Sequence, residues 1–224
     1  MRTLIGLLCV VFLAGCVSTK TAQIENGRAA ALRGKTVAVT ERPRAAFAAI
    51  SRGKAMFGMI GGIAMIEGGR ELVQEDDIQD PTPVLSRALI LAAQTQYGIV
   101  PASAAPVQID TTDVLKLADA ASGADVLFDV QQTGSQFRYI GFSSRYVVES
   151  GYKFRVVDVH SRALIAEGFC FKSTKDDPTP TTHDELLANK AALLKQTLDV
   201  QRDQCASQFE AQVLNIPGPQ AARN

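Results

Sequence analysis

Apolar positions change their period several times along this chain of 224 residues, and each change marks an element. Thr3 to Gly15 carries no charge, follows Arg2, and contains an unbroken apolar run from Leu4 to Leu13. That run is shorter than the roughly 20 residues a spanning helix needs, and a basic residue ahead of it predicts a secretory leader over 1–15. Val17 to Arg33 is small and polar with no period, which predicts a tether. Thr36 to Thr40 is a β-branched run that reads as a buried strand, stopped by Pro43. Ala55 to Ile66 is uncharged and rich in Gly and Met, too short to cross a bilayer as a helix. It reads either as a helix or loop over the core or as a patch that touches membrane or a partner. Glu67 to Asp80 then turns acidic.

A helical period returns from Val84 to Tyr97, opened by Asp80-Pro81-Thr82 and closed by Gly98. Short extended pieces surround Val100 and Val107, and Thr111-Thr112-Asp113 predicts the cap of a second helix ending near Ala121. Strand alternation begins at Ala124 and continues, with a bend at Gly134, to Ile140. In the next strand, Arg145 to Asp158, Tyr146, Val148, Tyr152, Phe154 and Val156 share one face. Arg145, Glu149, Lys153 and Arg155 share the other, which predicts one wet side for the sheet. With Ala163 to Lys172 returning as a third strand, the stretch is a β-meander. A final helix, capped by Thr182 or Asp184, runs to Val213 with Leu187, Leu194, Leu198, Cys205, Phe209 and Val213 as a continuous apolar stripe. Residues 215–224 read as a frayed tail. The expected fold is α+β (α/β): one domain over 34–214, with a small mixed sheet, a meander, helices mainly on one face and a long C-terminal helix.

Charge and cysteine usage sharpen this picture. The chain holds 23 Lys and Arg against 23 Asp and Glu. With no basic surplus, nucleic acid is a poor partner. Cys9 leaves with the leader, so Cys170 and Cys205 remain beside Cys16. In an oxidising compartment this pair reads as a disulfide, two free thiols being the alternative. No metal site or cofactor is expected: neither histidine has ligand spacing to a cysteine. His160 beside Asp158 makes no triad, and His183 near Asp176, Asp177 and Asp184 reads as a solvated cap rather than a cation site. None of G-x-S-x-G, H-E-x-x-H or the P-loop occurs, and a non-enzymatic role is expected.

Leu13-Ala14-Gly15-Cys16 resembles the lipobox of bacterial lipoproteins. The resemblance implies cleavage before Cys16, acylation of its thiol and new amine by chains such as palmitate, and insertion of those chains into membrane lipid. Val17, in place of the Asp that retains such proteins at the inner membrane, implies the outer membrane, periplasmic side. Together with the lipobox, Lys35-Thr36-Val37-Ala38-Val39 and Gly123-Ala124-Asp125-Val126-Leu127 resemble the α/β domain of the TolB amino-terminal, LpoB and CsgG-like lipoproteins. That likeness implies an adaptor or assembly factor of an envelope complex. The alternatives are a ring-forming, secretion-type homo-oligomer and a small-ligand-binding module. The Gly/Met stretch and the cysteine-bearing last helix depart from the family pattern. The candidate partner contacts are Met56, Phe57 and Met59 in that stretch, and Phe137, Tyr139 and Phe142 near a hairpin tip.

Overall fold

A computed structural model describes residues 21–24, 32–51, 58–141, 144–179 and 181–217, with backbone only for 58–62. The meander is its spine. β5 (Val126–Tyr139), β6 (Arg145–Asp158) and β7 (Ala163–Ser173) pair antiparallel, with a bulge in β5 between Gln132 and Gly134. β1 (Thr36–Glu41) lies parallel to the first half of β5, and β2 (Phe47–Ile50) parallel to its second half. Two-residue strands complete the sheet. β3 (Val100–Pro101) and β4 (Val107–Gln108) lie parallel to the two ends of β1, and β8 (Thr181–Thr182) pairs with β6. The main path runs β3-β1-β5-β6-β7, a mixed, open sheet with helices and a meander, as the alternation predicts.

Helices α2 (Thr82–Tyr97) and α4 (His183–Gln212) cover one face. Leu85 and Leu89 of α2 and Phe209 of α4 meet Val37, Phe128, Tyr152 and Phe154 in the main core. A second cluster joins Phe47, Phe137, Tyr146, Leu186 and Leu194. α1 (Gly58–Glu75) closes over β2, and Leu72 and Val73 pack on this second cluster. At Gly69 the helix touches the strand: a Cβ there would lie 1.8 Å from the Phe47 carbonyl oxygen, so only glycine fits. α3 (Val114–Ala120), capped by Asp113, packs on the opposite face, where Leu117 and Ala118 meet Leu127 and Val157. Cys170 of β7 and Cys205 of α4, both fully buried, are joined by a disulfide with Cα atoms 5.6 Å apart. Closing a loop of this length contributes about 3–4 kcal/mol in the chain-entropy account.

Four expectations are corrected. First, the Val17–Arg33 tether is shorter than its composition suggests. Ala22 pairs with Glu167 on β7, and Ile24 and Leu32 are buried in the main core, so the domain begins before residue 34. Second, Phe47–Ile50 forms a strand, missed because four consecutive apolar residues carry no readable polar alternation. Third, the last helix is not one continuous stripe. Ala188 is extended, and Asn189, Lys190 and Ala191 have positive φ, so the chain turns left-handed before the long helix proceeds. Thr182 caps the first turn, exchanging hydrogen bonds with Glu185, while Thr181 and Thr182 are held on β6. The left-handed turn lets a start fixed on β6 deliver Ala191 and Leu194 to the second core, and it is Leu186 rather than Leu187 that is fully buried. Fourth, the meander's other face is only partly wet: Glu149 and Arg155 are buried there in ion pairs.

Candidate functional site

Asp129 is the polar centre of the structure. Strand alternation places it on the α3 side of β5, opposite Arg155 of β6. It is completely buried. A buried carboxylate needs compensation, and two arginines supply it. Arg42 Nε donates to one oxygen at 2.6 Å and Arg155 Nε to the other at 2.8 Å, while the Thr40 hydroxyl donates at 2.9 Å. The guanidinium ends continue outward: Arg42 donates to the Thr111 carbonyl and Arg155 to the Thr112 carbonyl, each at 2.7 Å. One carboxylate thus fixes two strands and the loop that precedes α3. The cluster holds two positive charges against one negative.

Arg42 also lines a cleft of about 400 Å³. Its origin is topological. β3 and β4 pair with the two ends of β1, and residues 102–106 between them swing away from the middle of that strand. Val39, Ser86, Arg87, Ile90 and Ala102 wall the gap together with Arg42. Most polar groups here are already engaged. Glu41 accepts from Gln108 at 2.5 Å, and Asp80 accepts from the Thr82 N–H at 2.9 Å. The volume suits a small ligand or an inserted side chain.

A second polar cluster surrounds Glu149. Arg138 grips it through two nitrogens, at 2.7 and 3.0 Å, Gln136 donates at 2.6 Å and Ser173 at 3.3 Å. The Arg138 bond, with smaller contributions from Gln136 and Ser173, holds this carboxyl below the usual glutamate range against the opposing effect of burial. Burial pushes the Tyr152 hydroxyl up to about 12. Asp125, on the protein's rim, is held low by the Thr36 N–H and by His160, whose Nε2 lies 2.9 Å away.

The structure separates the residues singled out in the sequence. Phe137 is 2% exposed and fills the second core against Phe47 and Tyr146, with ring centroids 6.0 and 5.7 Å apart. It is therefore not a surface contact: the long β5 carries it under α4 instead of to a hairpin tip. Tyr139 is half-buried beside that core. Met59 belongs to α1 by backbone, while Cys16, Met56, Phe57 and Phe142 lie outside the described residues. One and two turns on, Ile63 is 75% exposed and Ile66 also faces outward. The His183 ring packs on Tyr146 and Phe137 with Nδ1 3.4 Å from Asp184, and His160 Nε2 bonds Asp125 while its backbone N–H bonds Asp158. Among the described residues no three His, Cys, Asp or Glu gather as metal ligands.

No protein-family model and no curated protein matches this chain. Distant likenesses exist among solved structures. Lipoprotein GNA1162 from Neisseria meningitidis is 14% identical at TM-score 0.29, with 75% of this chain and 98% of that one covered. Hypothetical protein CT253 from Chlamydia trachomatis is 9% identical at TM-score 0.37, covering 80% and 97%. A PelC dodecamer from Paraburkholderia phytofirmans is 13% identical at TM-score 0.27, covering 76% and 89%. Likenesses this distant assign no role to the chain.

Proposed function

We propose that this protein is a lipid-anchored adaptor of the bacterial envelope, held by acylated Cys16 at the outer membrane and facing the periplasm, which binds a partner protein rather than transforming a substrate. The observation that supports binding over chemistry is the state of the polar groups at the cleft. The Arg42, Asp129 and Thr40 side chains all spend their hydrogen bonds on one another and on backbone carbonyls. A general base or nucleophile has to be within reach of a substrate atom and not committed elsewhere. What the cleft presents is shape and an apolar wall edged by Glu41, Asp80 and Arg87, which are recognition features.

The cleft also supports a second reading, a small-ligand-binding module. Photo-crosslinking in cells from Ile90 and Ala102, which line the cleft from α2 and from the loop after β3, separates the two. The adaptor reading expects the same envelope protein to be captured from both positions, with capture weakened by Arg87→Glu on the exposed rim. No protein adduct from either position, together with a shift of thermal midpoint on addition of a small metabolite, overturns it in favour of the ligand module. Adducts only between copies of this chain overturn it in favour of a ring.

A further inference from the structure

The described chain is fixed to the sheet from Ala22 onward. The Ala22 N–H donates to the Glu167 carbonyl at 2.8 Å and its carbonyl accepts from the Glu167 N–H at 3.0 Å, on the outer edge of β7. Ile24 follows into the core, its N–H on the Val213 carbonyl at 3.0 Å. Cys16 lies six residues before Ala22. At 3.8 Å per Cα step, that stretch spans at most about 23 Å. An acyl group on Cys16 therefore keeps the β7 edge within about 23 Å of lipid.

The same strand carries an exposed phenylalanine, Phe171, and a half-buried one, Phe169. Ala166, Gly168 and Cys170 turn toward α4 and are buried. Phe169 and Phe171 turn to the other face, and α3 covers only the far end of that face, at Leu127 and Val157. Phe171 is 54% exposed. Its cross-strand neighbours are Gly151 and, one strand further, Gly134, and the space over Gly151 is flanked by the Thr133 hydroxyl and the Phe169 ring. The surrounding charges are neutralised internally: Lys153 pairs with Glu167 at 3.0 Å and Arg138 with Glu149 at 2.7 Å. The outcome is a surface whose nearest charges are paired, with a protruding phenyl ring.

We infer that the open face of β6 and β7, centred on Phe171 and Phe169, rests on the phospholipid surface, with the phenyl rings at the boundary between headgroups and acyl chains. This rests on the reading of Cys16 as the acylated residue. Because its charges are paired, the contact is driven by burial of apolar surface and is insensitive to salt. The exposed Ile63 and Ile66 of α1 sit by β2, at the opposite edge of the sheet, about 14 Å away at ordinary strand spacing.

The test uses the full-length acylated protein in vesicles of phosphatidylethanolamine and phosphatidylglycerol that carry nitroxide-labelled lipid. A fluorophore is attached at Thr133→Cys beside the patch or, for comparison, at Ile66→Cys or Leu91→Cys. Quenching is expected at Thr133 and absent at the other two, unchanged by salt, and reduced several-fold when Phe171→Ser is added. Phe171→Ser alters a half-exposed side chain, so an unchanged thermal midpoint shows that the fold is intact. Quenching at Ile66 or Leu91 in place of Thr133, or at none of the three, overturns the orientation. Mass spectrometry of the N-terminal peptide reads the premise separately. An unmodified Cys16 removes the anchor and the inference together, whereas acylated Cys16 with unquenched Thr133 defeats the orientation alone.

Discussion

Two carboxylates govern how this protein responds to change at single positions, and they differ in what protects them. Asp129 is dry, and its partners Arg42 and Arg155 have side chains almost as buried. Removing one member of such a set leaves the others as uncompensated buried charge, which typically costs about 3–5 kcal/mol. Asp129→Asn preserves shape but strands two guanidinium groups. Its unfolding free energy in urea should fall by that amount, and a change below about 1 kcal/mol would mean the cluster is open to water. Glu149 is coupled to pH. Its folded-state pKa lies below the unfolded value of about 4.3. The folded form therefore keeps the charge after the unfolded chain has taken up a proton. The stability this adds is complete above about pH 4.3 and disappears as pH falls through the lower folded value. Glu149→Gln should be less stable than the parent at neutral pH and show a shallower loss of stability between neutral and acidic pH. Parallel pH profiles for the two proteins would show that the Arg138 pairing contributes nothing.

At the scale of elements, the left-handed turn within α4 is the least economical feature of the fold. Left-handed backbone costs a residue with a Cβ roughly 1–2 kcal/mol, and three consecutive residues adopt it here. Lys190 is exposed, so Lys190→Gly removes no packing. Allowing for the greater chain entropy of glycine when unfolded, it should stabilise by about 0.5–1 kcal/mol, read from chemical denaturation. A loss of stability instead would show that the segment is an ordinary helix in solution. The turn also marks where periodicity stops being informative. Leu194, Leu198, Cys205 and Phe209 fall on the buried face as their spacing requires, because nothing interrupts the helix there. Leu187 does not, because its direction is set by the pairing of Thr182 with Arg145 and Thr181 with Tyr146 of β6, contacts between residues far apart in sequence. The same limit hid the polar clusters. The alternation of Val126, Phe128 and Val130 puts Asp129 on the opposite face from the main core, and a lone acid in so apolar a strand is the one readable hint that a cation must come to it. That Arg42 would do so, 87 residues away, follows only from the parallel pairing of β1 with β5. The disulfide was legible because only two cysteines remained to be joined. The cleft was not, since it arises from where β3 and β4 part.

For the molecule as a whole, the question is where the folded unit begins. Composition draws the line at Gly34, since Val17 to Arg33 has no period and few large apolar residues. Packing draws it earlier. Ile24 and Leu32 are each 1% exposed and share the main core with Phe209 and Val213. Burying two such side chains is worth about 1.5–3 kcal/mol each. Ala22 also satisfies the Glu167 backbone on an otherwise unpaired outer strand, and an uncovered strand edge is a template for association. A chain beginning at Thr21 and one beginning at Gly34 should therefore differ in two measurements. The shorter chain should unfold with about 3–6 kcal/mol less free energy in urea. It should also self-associate in sedimentation, through β7, at concentrations where the longer chain stays monomeric. Equal midpoints would place the boundary back at Gly34 and return the preceding residues to the tether. The distinction reaches function, because the point at which the chain leaves the sheet sets how closely the domain is held to the lipid surface and which of its faces remain open to a partner.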